Sequence, residues 1–159
     1  MERREDGGKI KDNFFDFWFK FVYENISDLE IDRVEEVMER INLWQYFSLK
    51  SEKLIRELIK EKLIPLPFKF EYVGKYLHKG EEVDVIAEGK EALFMAEIKW
   101  SNNVECRPLI NKMRKIMSKL NEEGKKNEYY GVIAKSFKEC DADVAFDINK
   151  LSQAVMKHS

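Results

Sequence analysis

The segment from Ala92 to Trp100 is apolar except for two charged residues, Glu97 and Lys99. A second apolar segment, shortly before it, contains a single acid, Asp84. Burying a carboxylate or an ammonium group costs several kcal/mol unless the charge is paired or bound to a metal ion. A fold that places these three residues in buried strands must therefore give each of them a partner.

The spacing of apolar residues changes near Phe68 from a helical period to a strand-like period. Before Phe68 the sequence predicts three helices. An aromatic helix over Asp12–Glu24 is apolar on two sides, a second begins at the capping box of Asp32, and a third covers about Ser48–Lys62. Prolines close behind the third helix end it.

After this point the sequence predicts a three-stranded meander, a helix that crosses over to a fourth strand, and a short closing helix. The predicted elements are strands at Phe68–Tyr72, Val83–Ala87, Leu93–Trp100 and Tyr129–Ala134, a helix capped by Asn103, and a closing segment at Asp147–Met156. The order α-α-α-β-β-β-α-β-(α) indicates an α/β (α+β) fold with a mixed four-stranded sheet flanked by helices. We expect residues 1–47 to form a helical extension packed on a core of residues 48–159, as one compact unit.

The composition excludes several classes of protein. The 159 residues are 44% apolar, which is ample for a globular core, and a net charge of -2 gives no global attraction to nucleic acid. Cys106 and Cys140 lack metal-ligand spacing and are predicted to be reduced thiols. No apolar stretch approaches the roughly 20 residues of a membrane span, and no signal peptide is recognisable, so we expect a cytoplasmic protein.

The tripeptide Glu-x-Lys carries little information alone, because this composition predicts about three occurrences and the chain has three. Only Glu97/Lys99 lies in a predicted strand. If the turn at Gly89-Lys90 closes an even-length loop, Ala87 pairs with Ala92, and Asp84 lies diagonal to Glu97 on the same face. An odd-length loop or a β-bulge would instead put Asp84 on the opposite face.

Two interpretations of these charges stay open. Asp84, Glu97 and the carbonyl of Ile98 have the oxygen ligands that Mg²⁺ or Mn²⁺ prefers, and Lys99 could stabilise a phosphate transition state. Alternatively, Asp84 and Lys99 form a cross-strand ion pair beside a half-solvated Glu97. A fourth acid, Glu52, lies at the apolar boundary of the third helix, where it could instead form an i, i+4 pair with Arg56.

Four segments carry a resemblance to a known family: Lys11–Val22, Glu82–Ala87, Ala96–Trp100 and Tyr129–Phe137. Together they resemble the C-terminal domain of a family of archaeal P-loop ATPases, within the PD-(D/E)xK nuclease superfamily. The likeness extends over about residues 8–155. Strand two departs from the superfamily pattern, because Val83 stands where a proline often precedes the aspartate.

The resemblance implies a restriction-endonuclease-like core in which Asp84, Glu97 and Lys99 match the metal and catalytic positions and Glu52 matches the helix acid. It also implies a P-loop ATPase domain as partner, in cis or in trans. The chain has no Gly-x4-Gly-Lys-Ser/Thr motif, and hence no ATP site of its own.

Two functions follow from these observations. The first is a Mg²⁺-dependent DNA endonuclease whose phosphate contacts come from the basic residues of the crossover helix, namely Arg107, Lys112, Lys115 and Lys119. The second is a catalytically inactive module that binds nucleic acid or a partner chain through the aromatic helix. Whether the protein forms a homodimer stays open at this point.

Overall fold

The computed structural model describes residues 44–157. The chain divides into two compact units, Met1–Glu61 and Lys62–Ser159. The first two predicted helices, including the aromatic helix, lie outside the described residues.

The described part of the first unit is one helix, α1, over Trp44–Lys60. Its apolar residues recur three or four positions apart, so they share one stripe of the helix. That stripe is buried, and consists of Leu54, Ile55, Leu58 and Ile59. The third predicted helix is thus confirmed, although it begins earlier than the sequence indicated.

The second unit contains a five-stranded mixed sheet in the order β1-β2-β3-β5-β7. Its strands are β1 (Tyr72–His78), β2 (Glu81–Glu88), β3 (Ala92–Lys99), β5 (Asn127–Ala134) and β7 (Val144–Phe146). Strands β1, β2 and β3 are antiparallel neighbours, whereas β3, β5 and β7 run parallel. The predicted α/β fold with a mixed sheet is therefore confirmed.

Two strands differ from the prediction. The first strand covers Tyr72–His78 instead of Phe68–Tyr72, and Phe68 stacks on the ring of Tyr129 at a centroid distance of 5.5 Å. The fifth strand of the sheet, β7, has three residues, which is too short to show an alternating pattern in the sequence.

The crossover from β3 to β5 is helix α2, over Cys106–Leu120. Its buried residues, which include Met113 and Met117, pack against Met95 of β3 and Val132 of β5. Asn103 does not cap this helix as predicted. It has a left-handed backbone, with φ of 54°, and Glu105 occupies the N-cap position. The last helix, α3, covers Ile148–Lys157 and follows β7. Within the described residues, no helix combines the length and hydropathy needed to cross a membrane.

A two-stranded sheet forms beside the start of α2, where β4 (Val104–Glu105) pairs with β6 (Phe137–Glu139) in parallel. The register sets Glu105 opposite Glu139, so the residues that follow them are neighbours. These residues are Cys106 and Cys140, which form a disulfide. The prediction of two reduced thiols is therefore wrong, because nothing in the local sequence reveals that β4 and β6 pair.

Gly131 of β5 lies where the sheet leaves no room for a side chain. A Cβ atom there would lie 2.6 Å from Cζ of Phe94, and Phe94 is fully buried. We expect Gly131→Ala to lower the free energy of unfolding by about 1–3 kcal/mol through overpacking, measured by urea denaturation. The double variant with Phe94→Leu should lose less than the sum of the two single changes. Strict additivity would contradict this explanation.

Candidate functional site

The hairpin of β2 and β3 has a register that differs from the predicted one by two residues. Ala87 pairs with Phe94, and not with Ala92 as predicted, because the loop begins one residue later. The N–H of Gly89 donates to the carbonyl of Ala92 at 2.9 Å and closes this loop. The loop still has an even length, but the predicted shared face of Asp84 and Glu97 also requires unbroken alternation along β2.

Asp84 lies in a β-bulge of β2. Gly74 of β1 pairs with Ile86, but Tyr76 pairs with Val83, so two residues, Asp84 and Val85, stand opposite Lys75. The last residue pair between β2 and β3 is Val85 with Ala96. Asp84 therefore lies where the ladder between these two strands ends.

The carboxylate of Asp84 reaches across to β3 at this point. Its Oδ2 atom accepts a hydrogen bond from the backbone N–H of Ile98 at 2.8 Å. The side chain thus takes the role that a backbone carbonyl of β2 would have in a continuing ladder. In an extended strand the N–H and C=O of one residue point to the same side, so the carbonyl of Ile98 is also directed toward β2. Asp84 is in this way brought onto the Glu97-Ile98-Lys99 segment.

Glu97 is buried, with 3% of its surface exposed. It lies two residues after Met95 on the face of β3 that α2 covers. Its Oε1 atom lies 2.8 Å from Nζ of Lys112, which reaches it from α2. Lys99, by contrast, is exposed at the end of β3. The cation that neutralises the buried acid therefore comes from the crossover helix.

Glu82 is a further acid of this region that the sequence reasoning did not select. Carboxylate oxygens of Glu82 and Asp84 lie within 4.8 Å of each other, and Nζ of Lys75 lies 2.5 Å from Glu82. The hydrogen bond from Lys75 and its charge lower the pKa of Glu82, and the charge of Lys112 adds to this. Glu82 could have been identified in the sequence from its position two residues before Asp84 on the same strand.

The fourth predicted acid, Glu52, lies on α1 in the other unit. It is largely buried, with 9% of its surface exposed. The predicted i, i+4 pair is present, with 3.7 Å between Glu52 Oε2 and Arg56 Nη1.

Three of the four basic residues that were candidates for phosphate binding contact carboxylates of the protein itself. Arg107 lies 3.2 Å from Asp141, Lys119 lies 2.6 Å from Glu81, and Lys112 binds Glu97. Lys115 is exposed on the same helix. Because binding to a phosphate backbone depends on cations free to replace its counterions, these internal pairs reduce what α2 can offer to DNA.

The donor atoms at the end of the β2–β3 ladder fit a hard divalent cation. The carboxylates of Glu82, Asp84 and Glu97 and the carbonyl of Ile98 are all oxygen donors, the type that Mg²⁺ and Mn²⁺ prefer. Of these donors, the structure brings carboxylate oxygens of Glu82 and Asp84 within 4.8 Å of each other, and Nζ of Lys75 already lies beside Glu82. The carboxylate of Glu97 instead binds Lys112.

Residues 18–114 match DUF234, a family described as archaeal and bacterial proteins of unknown function. The chain belongs to this family. Within the described residues the DUF234 match covers α1, the β1–β2–β3 meander and the first part of α2, so it includes Asp84, Glu97 and Lys112.

One similar protein is an uncharacterized protein, MJECL04, of Methanocaldococcus jannaschii. It is 41% identical over 100 residues, which correspond to 58% of this chain and 22% of that protein. The chain thus matches about a fifth of the length of its relative. No solved structure matches the chain.

Proposed function

We propose that this DUF234 protein is a metal-dependent DNA endonuclease of the PD-(D/E)xK type with a restriction-endonuclease-like core. We further propose that it acts as part of, or together with, an archaeal P-loop ATPase. The observation that carries the proposal is the 2.8 Å hydrogen bond from the Ile98 N–H to the Asp84 carboxylate. This contact brings the acid of β2 onto the Glu97-Ile98-Lys99 segment of β3, the juxtaposition that such a site requires.

Each residue of the proposed site has a distinct role in the reaction. Asp84, Glu97 and the Ile98 carbonyl would hold Mg²⁺ or Mn²⁺, which, when bound, polarises the scissile phosphate and lowers the pKa of a water molecule. Lys99 follows Glu97 by two residues and so projects from the same face of β3. Its ammonium group stabilises the negative charge that develops on the phosphate as the bond to the leaving oxygen lengthens.

A second candidate function is a non-catalytic module that binds nucleic acid or a partner chain of such an ATPase. The observation in its favour is the ion pair of Glu97 with Lys112, at 2.8 Å. This pair satisfies the buried acid without a metal ion, as a purely structural role would require.

Cleavage of single-stranded, duplex and branched DNA with Mg²⁺ or Mn²⁺ distinguishes the two functions. We expect the wild type to cleave only with the divalent ion, and Asp84→Asn to fall to the background of the assay. Asp147→Asn is a matched control, because Asp147 caps α3 through the N–H of Lys150 and asparagine caps a helix equally well. Equal cleavage by Asp84→Asn and wild type would contradict the enzyme. DNA binding without cleavage in all three proteins would favour the second candidate.

A further inference from the structure

The ion pair between Lys112 and Glu97 is asymmetric in its exposure to solvent. The side chain of Glu97 is 4% exposed, whereas that of Lys112 is 48% exposed. The acid is therefore fixed within the protein, and the lysine reaches it from the solvated surface of α2. Of the two partners, the lysine is the one whose side chain borders solvent.

The acid that Lys112 contacts is also one of the residues proposed to hold a divalent cation. A cation bound there would need the carboxylate of Glu97, whose Oε1 atom lies 2.8 Å from Nζ of Lys112.

We propose that Lys112 is a built-in counter-cation, which neutralises Glu97 in the ion-free protein and must be displaced when a divalent cation binds. This inference rests on the proposed function for the cation itself. Two positive charges close to one carboxylate repel each other. The ion pair of Lys112 with Glu97 and the binding of the cation therefore oppose each other. By linkage, removing the lysine charge strengthens cation binding by the factor with which the lysine had weakened it.

The same contact has a consequence for the ion-free protein. A buried carboxylate without a partner is destabilising, and Lys112 supplies that partner before any cation arrives. Removing the lysine charge should therefore make the ion-free protein less stable and more responsive to the cation. A lysine with a purely structural role would produce only the first of these effects.

Isothermal titration of the full chain with Mn²⁺ tests the proposal. We expect Lys112→Met to bind Mn²⁺ about tenfold more tightly than the wild type, within the usual range of coupling between two sites. Lys112→Arg keeps the charge and should stay close to the wild type. Lys126→Met is the matched control, because Lys126 pairs with Glu88 at 2.6 Å, at the opposite end of the hairpin. It should also bind Mn²⁺ like the wild type.

Thermal unfolding provides a second measurement that does not depend on activity. In a chelator, Lys112→Met should melt below the wild type. Saturating Mn²⁺ should then raise its midpoint by about 3 °C more than that of the wild type, as tighter binding to the folded state requires.

The outcomes separate this inference from the proposed function. If the wild type binds Mn²⁺ and Lys112→Met binds it equally or more weakly, the counter-cation role is wrong and the metal site stands. If neither protein binds Mn²⁺, the metal site itself is wrong. Binding of Mn²⁺ by Lys112→Met and not by the wild type would support the inference, because the lysine would then prevent cation binding altogether.

Discussion

Replacing Cys140 with serine is expected to lower the free energy of unfolding by about 2–4 kcal/mol. The disulfide joins residues 34 positions apart and closes a loop that contains α2 and β5. A cross-link of this span restricts the unfolded chain, and the loss of that restriction is the main expected effect. Urea denaturation of the wild type and of Cys140→Ser under non-reducing conditions measures the difference.

The double variant Cys106→Ser/Cys140→Ser separates the cross-link from the packing of the buried Cys106. If the disulfide is responsible, a reductant should destabilise the wild type and leave both variants unchanged. Labelling of the unfolded wild type with a thiol reagent should find no free thiol unless reductant is added. Two labelled thiols in the absence of reductant would show that the bond does not form.

The fold class could be predicted from the sequence because it depends on local periodicity. The stripe of α1 shows the helical period, the continuous apolar run of β3 is typical of a strand buried on both faces, and both elements occur. The disulfide could not be predicted, since it depends on the pairing of β4 with β6. Strand β4 has two residues, and no periodic pattern exists over so short a segment.

The candidate site, too, could be predicted from the sequence only in part. The apolar surroundings of Glu97 indicated that a buried acid would need a partner, and the structure provides one. The identity of that partner, Lys112, depends on how α2 packs across β3, which local sequence does not reveal. A bulge near Asp84 was an open alternative, but the sequence could not decide it, because the extra residue is defined only against the pairing of β1. The contacts of each charged residue therefore depend on the elements that pack beside its strand.

Replacing Lys99 with alanine is expected to reduce the rate of DNA cleavage by about 10²–10³-fold, the usual effect of removing one group that stabilises transition-state charge. The affinity for Mn²⁺ should stay close to that of the wild type, because the ion pair that controls Glu97 is made by Lys112 and not by Lys99. Single-turnover cleavage and isothermal titration measure the two quantities separately. The opposite pattern is expected for Lys112→Met, in which the affinity for Mn²⁺ changes most.

The chain provides a matched control in a second Glu-x-Lys tripeptide, Glu88-Gly89-Lys90, which lies at the hairpin turn. Lys90 is exposed like Lys99 and has the same spacing from a glutamate, but it lies at the other end of β3 from Asp84. Lys90→Ala should therefore cleave DNA like the wild type. If Lys99→Ala and Lys90→Ala have equal rates, Lys99 has no catalytic role. If only Lys99→Ala is slow, its position beside Glu97 and Asp84 accounts for the effect, since the tripeptide itself is common to both lysines.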